Sequence, residues 1–69
     1  MTNTALLNQL IAESGIKKAK IAAELGVTYA SLWQKVHNKR DFKASEIQIL
    51  CNLLGINTLQ AKEEIFFAN

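Results

Sequence analysis

Three glycines divide this chain, and each follows a run with helical apolar spacing: Gly15 after TALLNQLIAES, Gly26 after KIAAEL and Gly55 after EIQILCNLL. Glycine inside a helix costs about 1 kcal/mol relative to alanine, yet it enters readily the left-handed backbone region in which helices end. Gly26 is the most constraining of the three, because KIAAEL leads through Val27 and Thr28 into YASLWQKV, a second run with its own apolar spacing. Threonine is a favoured N-cap, so this junction predicts two helices set at an angle rather than one interrupted helix.

The same reasoning extends along the chain and predicts an all-α fold of five short helices. Asn3 or Thr4 caps a first helix over residues 4 to 14, with Leu6, Leu7, Leu10 and Ile11 recurring at helical spacing. The second helix covers about 17 to 25, and the third about 28 to 37, with Leu32 and Val36 four residues apart on its inward side. Ser45-Glu46-Ile47-Gln48 has the form of a capping box and opens the fourth helix, which ends before Gly55. Asn57 or Thr58 caps a fifth helix to about Glu64, and the tail 65 to 69 reads equally as helix or extended chain. The expected core is Leu7, Leu10, Ile21, Ala22, Leu25, Val27, Leu32, Val36, Ile47, Leu50, Cys51 and Leu54.

Length and composition restrict what such a bundle can do. A chain of 69 residues is expected to form a single domain, 1 to 69. A domain this small buries about 60% of its unfolded-chain surface, leaving little room for an enclosed active site. Hydrophobic residues make up 49% of the chain and proline is absent, a balance of globular rather than disordered sequence. The opening MTNTALLNQLIAES has neither a basic leader nor a long apolar core, so no signal peptide or transmembrane helix is expected and the expected location is cytoplasmic. The single cysteine and single histidine provide no zinc-ligand spacing, and neither metal nor cofactor is expected. Cys51 lies within the apolar stripe of the fourth helix and reads as a small buried hydrophobe. No paired carboxylates, nucleophile and base, or phosphate loop can be assembled around His37, so the chain is not expected to be an enzyme.

Charge is distributed unevenly. Between Lys17 and Lys43 there are seven basic side chains against Glu24 and Asp41, whereas the remainder carries one basic and four acidic residues. Clustering of this kind points to an anionic partner. Lys17, Lys18 and Lys20 stand in the first turns of the second helix, where the macrodipole disfavours cations. The arrangement is unfavourable for folding alone but apt if a phosphate docks on the free N–H groups there. Asn38, Lys39 and Arg40, past the third helix, can hold a phosphate farther along a duplex.

On a helical wheel the third helix presents Ala30, Ser31 and Gln34 opposite its buried side, with Tyr29 and Trp33 on one flank and Lys35 on the other. Glutamine pairs bidentately with adenine, serine donates or accepts, and an alanine methyl touches a thymine methyl, so this strip suits the major groove. An ordinary solvated face has the same pattern. Trp33 reads best as a residue of the core boundary and His37 as a solvated helix-end residue, with phosphate contact as the functional reading of His37 and of Lys35.

KIAAELGVTYASLWQKV, continuing through HNKRDFKASEIQILCNLLGI, resembles the lambda-repressor-like, or Cro and XRE, helix-turn-helix family, especially small phage Cro-type regulators with a short aromatic tail. The resemblance covers about residues 4 to 60, with the motif at about 17 to 37. It implies a five-helix lambda-repressor-like bundle that binds double-stranded operator DNA as a dimer. Base contacts are then implied at Tyr29, Ala30, Ser31 and Gln34, and phosphate contacts at Lys18, Thr28, Asn38, Lys39 and Arg40, to which the charge at the start of the second helix adds Lys17. Lys17 departs from the family by standing where a polar cap is usual. Lys35 stands at a commonly inward apolar position, a role expected to pass to Val36 through a slight rotation of the helix. Ile49 and Leu53 lie off the main stripe, and adjacent Phe66 and Phe67 cannot both enter one core, so these four are the expected homodimer contacts, the alternative being a tail that folds back over its own core. The rival expectation is a protein-interaction module, such as an antirepressor that uses the fold to bind another regulator.

Overall fold

A computed structural model of the chain describes residues 1 to 68, so Asn69, the last residue of the proposed tail contact, lies outside the described residues. Five helices follow one another as α1 (Thr4–Ser14), α2 (Lys18–Leu25), α3 (Tyr29–Val36), α4 (Ala44–Leu54) and α5 (Leu59–Phe66), and no strand occurs among the described residues. Helix α2 packs on α3 and α4, while α1 packs on α3, α4 and α5, giving a body of 27 × 24 × 21 Å. No helix among the described residues is long and apolar enough to cross a membrane.

The helix ends follow local chemistry. The Asn3 side chain accepts the Leu6 N–H at 3.1 Å, so Asn3 rather than Thr4 caps α1. Thr58 caps α5 by accepting the Ala61 N–H at 3.1 Å. The start of α4 differs from the expected Ser45 capping box: the helix begins at Ala44, and the Glu46 carboxylate reaches back to accept the Lys43 N–H at 2.8 Å. The reciprocal half of a capping box needs a side-chain acceptor, which the Lys43 ammonium cannot supply.

The core is centred on Leu7, Ile21, Leu32, Leu50, Cys51 and Ile65, all essentially free of solvent contact. Ala22, Leu25 and Val36 join them as expected, whereas Leu10, Val27, Ile47 and Leu54 only pack partly buried against the cluster. Ile11, Ile56, Ile65 and Phe66 are buried although they were outside the expected core. Two of these belong to α5, which continues past Glu64 to Phe66 and folds back over the bundle. Phe66 meets Phe42 edge to face, with ring centroids 5.6 Å apart. The N-cap and first residue of α1 close this layer. Asn3 N–H donates to Ile65 C=O at 2.6 Å and Thr4 Oγ1 donates to Val36 C=O at 2.6 Å, joining the C-terminal ends of α5 and α3.

Candidate nucleic-acid interface

The junction at Gly26 sets the angle between α2 and α3. Gly26 adopts φ 72°, and its N–H donates to Ala23 C=O at 3.1 Å while Val27 N–H donates to Ala22 C=O at 3.0 Å. These two bonds satisfy carbonyls that the ending helix would otherwise leave free. Thr28 then restarts the chain in extended conformation, its Oγ1 accepting the Ser31 N–H at 3.1 Å. The hydroxyl proton of Thr28 is still available to donate.

Helix α3 buries Leu32, Lys35 and Val36 and exposes Ala30 and Gln34, with Tyr29 and Trp33 also exposed, at 54% and 47%. Ser31 is half-buried, with Arg40 Nη1 at 3.5 Å from its hydroxyl. Trp33 stacks on His37 with ring centroids 4.1 Å apart, one turn along the same face. The His37 Nδ1 atom lies 2.9 Å from Trp33 C=O, within hydrogen-bond reach of that acceptor. The half-exposed indole thus covers the edge of the core, above Ile11 and Leu32.

Lys35 is corrected by the fold. It was expected on a solvent-facing flank as a phosphate contact, with Val36 replacing it inward, but both residues are buried. The Lys35 ammonium donates to both Glu46 oxygens at 2.6 Å, and the two side chains retain only 6% and 7% of their exposure. A buried charge requires a partner, and with one supplied by α4 the lysine stays inward instead of turning the helix. Burial raises the Glu46 carboxyl, but the hydrogen bonds from Lys35 and from the Lys43 N–H, with the charges of both lysines, hold it below its ordinary value of 4.5. Glu46 is the residue that sequence reasoning missed. Its signal was a carboxylate in the first turn of a helix, within reach of the chain that follows an inward lysine.

Asn38 is corrected as well. Its side chain is not a free phosphate ligand: Oδ1 accepts the Thr2 N–H and Nδ2 donates to the Thr2 C=O, both at 2.8 Å. Asn38 also takes the left-handed conformation, φ 62°, which asparagine tolerates better than most residues. This turn carries the chain back over the end of α3, where Lys39 N–H donates to Gln34 C=O at 2.7 Å and Arg40 N–H shares that oxygen at 3.3 Å.

Lys17 and Lys18 are exposed at the start of α2, where no side chain caps the helix. Lys20 pairs with Glu24 on the surface at 3.1 Å. Lys39 and Arg40 are exposed beyond the other end of α3. Along the chain one basic group precedes α3 and another follows it; Lys18 lines a shallow pocket with Tyr29 and Trp33, and Arg40 reaches the Ser31 hydroxyl.

The expected dimer contacts divide. Phe66 is buried in its own chain at 4% exposure, which corrects its assignment to a partner surface, whereas Phe67 is exposed at 60%. Ile49 packs partly buried on the core and Leu53 is half-buried. Beside Phe67 a groove is lined by Met1, Phe42, Ile47 and Phe66. Burial raises the Cys51 thiol above its ordinary 9.0, partly offset by Lys62, which keeps it protonated near neutrality. Comparison with family models, with curated proteins and with solved structures gives no match for this chain.

Proposed function

We propose that the chain is a sequence-specific double-stranded DNA-binding transcriptional regulator, a Cro-like repressor in which α2 and α3 form a helix-turn-helix and α3 enters the major groove. The observation that carries this reading is the outer face of α3, with Ala30 and Gln34 exposed on a helix that exposed Lys17 and Lys18 precede, and exposed Lys39 and Arg40 follow, along the chain. Gln34, Ala30, Ser31 and Tyr29 read base edges, while the flanking lysines, Arg40, the Thr28 hydroxyl and His37 hold phosphates. The uncapped start of α2 supplies free N–H groups and a positive dipole end for one of those phosphates. The protein works inside the cell as a homodimer, with Phe67 at the subunit contact and the groove beside it receiving the partner.

A protein-interaction module is the second reading, favoured by the two exposed aromatic rings on α3, Tyr29 and Trp33. Duplex binding across a salt series separates the two. Affinity that falls steeply with salt, together with enrichment of one sequence from a random duplex pool, supports the regulator. Absence of duplex binding at low salt removes that reading in favour of a protein partner.

A further inference from the structure

The Lys35–Glu46 pair stands at both ends of the segment that joins α3 to α4. Lys35 lies in the last turn of α3 and Glu46 in the first turn of α4. The same carboxylate that receives the ammonium also accepts the Lys43 N–H, where the segment ends. Between the two anchors lie Lys39 and Arg40, whose N–H groups bond Gln34 C=O and so tie the segment to the helix. Apolar packing is non-directional, and Leu32 and Val36 alone tolerate small rotations of α3. A carboxylate held on two sides is directional and does not.

We infer that Lys35 and Glu46 are positioning residues for DNA recognition: their buried pair fixes the rotation of α3 and the placement of the 37 to 43 segment, bringing Gln34 and the Lys39–Arg40 pair into register on one duplex. The inference rests on the DNA-binding reading. It assigns to the pair a role separable from stability, because a buried ion pair replaced as a whole by well-packed hydrophobic residues of similar volume is often neutral or stabilising.

The test uses the full chain with Lys35→Met and Glu46→Gln together, glutamine retaining an acceptor for the Lys43 N–H. Far-ultraviolet circular dichroism is expected to match the wild type, and urea unfolding to stay cooperative with a midpoint lowered by the glutamine N–H groups that Lys35→Met leaves unpaired. Preference for the selected duplex over random duplex is expected to fall about tenfold, the worth of one base-edge contact, and the salt slope to become shallower as Lys39 and Arg40 lose their register on the phosphates. Amide exchange at Lys39 is expected to accelerate about tenfold in the free protein, since the segment loses an anchor. If the double variant does not fold, Glu46→Asp decides, because it keeps the charge but shortens its reach, and the same loss of preference is expected.

A folded variant with wild-type preference and wild-type Lys39 exchange overturns the positioning role and leaves the DNA reading intact. A wild-type protein that binds no duplex at low salt overturns both. A variant that loses affinity equally for selected and random duplex also overturns the positioning role, since loss of register must reduce discrimination.

Discussion

At the scale of single residues, Gln34 and Lys39 are expected to fail in different ways. Gln34 is exposed on the outer strip of α3 and Lys39 is exposed just past its end. Gln34→Ala should cost about 1 to 3 kcal/mol on the selected duplex and much less on random duplex, measured by fluorescence anisotropy. Lys39→Ala should weaken both by similar factors and make the salt slope shallower by about one unit per subunit. Discrimination that survives Gln34→Ala but disappears with Lys39→Ala would remove α3 as the reading element. Glu46 permits a second prediction that does not depend on function. Glu46→Gln alone leaves the Lys35 ammonium buried without its counter-ion, which typically costs about 3 to 5 kcal/mol in urea unfolding near neutral pH. The Glu46 carboxyl is held below 4.5 in the folded chain, so its contribution is complete above that pH and declines as pH falls through the folded value. The stability gap between wild type and Glu46→Gln should therefore narrow on acidification from about pH 6 to about pH 3. A gap of constant size over that range would refute the linkage.

At the scale of elements, the connection between α2 and α3 depends on backbone conformation more than on packing. A Cβ built on Gly26 would meet nothing within 4 Å, so the position tolerates a methyl group sterically and resists it only through its φ of 72°. Gly26→Ala is accordingly expected to cost about 1 to 2 kcal/mol without altering the core, seen as a lower urea midpoint with an unchanged slope. An unchanged midpoint would mean that the left-handed turn is not what joins the helices. Thr28 provides the other half of the junction, and Thr28→Ala should remove about 1 kcal/mol through the lost cap. The expected and observed limits of α1, α2 and α3 agree within a residue at each end, because glycine and the caps act through nearest neighbours. The expected start of α4 was two residues late, with Ser45 rather than Lys43 at the N-cap. Ser45 to Gln48 had the form of a capping box, but the carboxylate that serves the N–H of Lys43 is Glu46, which is also drawn inward by Lys35.

At the scale of the whole molecule, the two adjacent phenylalanines of the tail have different surroundings. Phe66 lies at 4% exposure against Phe42, and Phe66→Ala should cost about 3 to 5 kcal/mol of folding stability. Phe67, exposed at 60%, should be replaceable by Ser with little change in unfolding but with weaker self-association in sedimentation. Equal destabilisation by both substitutions would place Phe67 in the same core and remove it from the proposed dimer contact. The sequence by itself determined the five helices, the turn at Gly26 and most of the core, since apolar period, glycine and capping residues act over a few neighbours along the chain. It also identified Ala30 and Gln34 as an outward strip, because a single helix settles which residues oppose Leu32 and Val36. Only the tertiary structure decided the fates of Lys35, Asn38 and Phe66. Each depends on a partner remote in the chain: Glu46 for the ammonium, Thr2 for the amide and Phe42 for the ring. A helical wheel assigns direction but not neighbours, and a long or polar side chain follows the neighbour that neutralises, hydrogen-bonds or covers it.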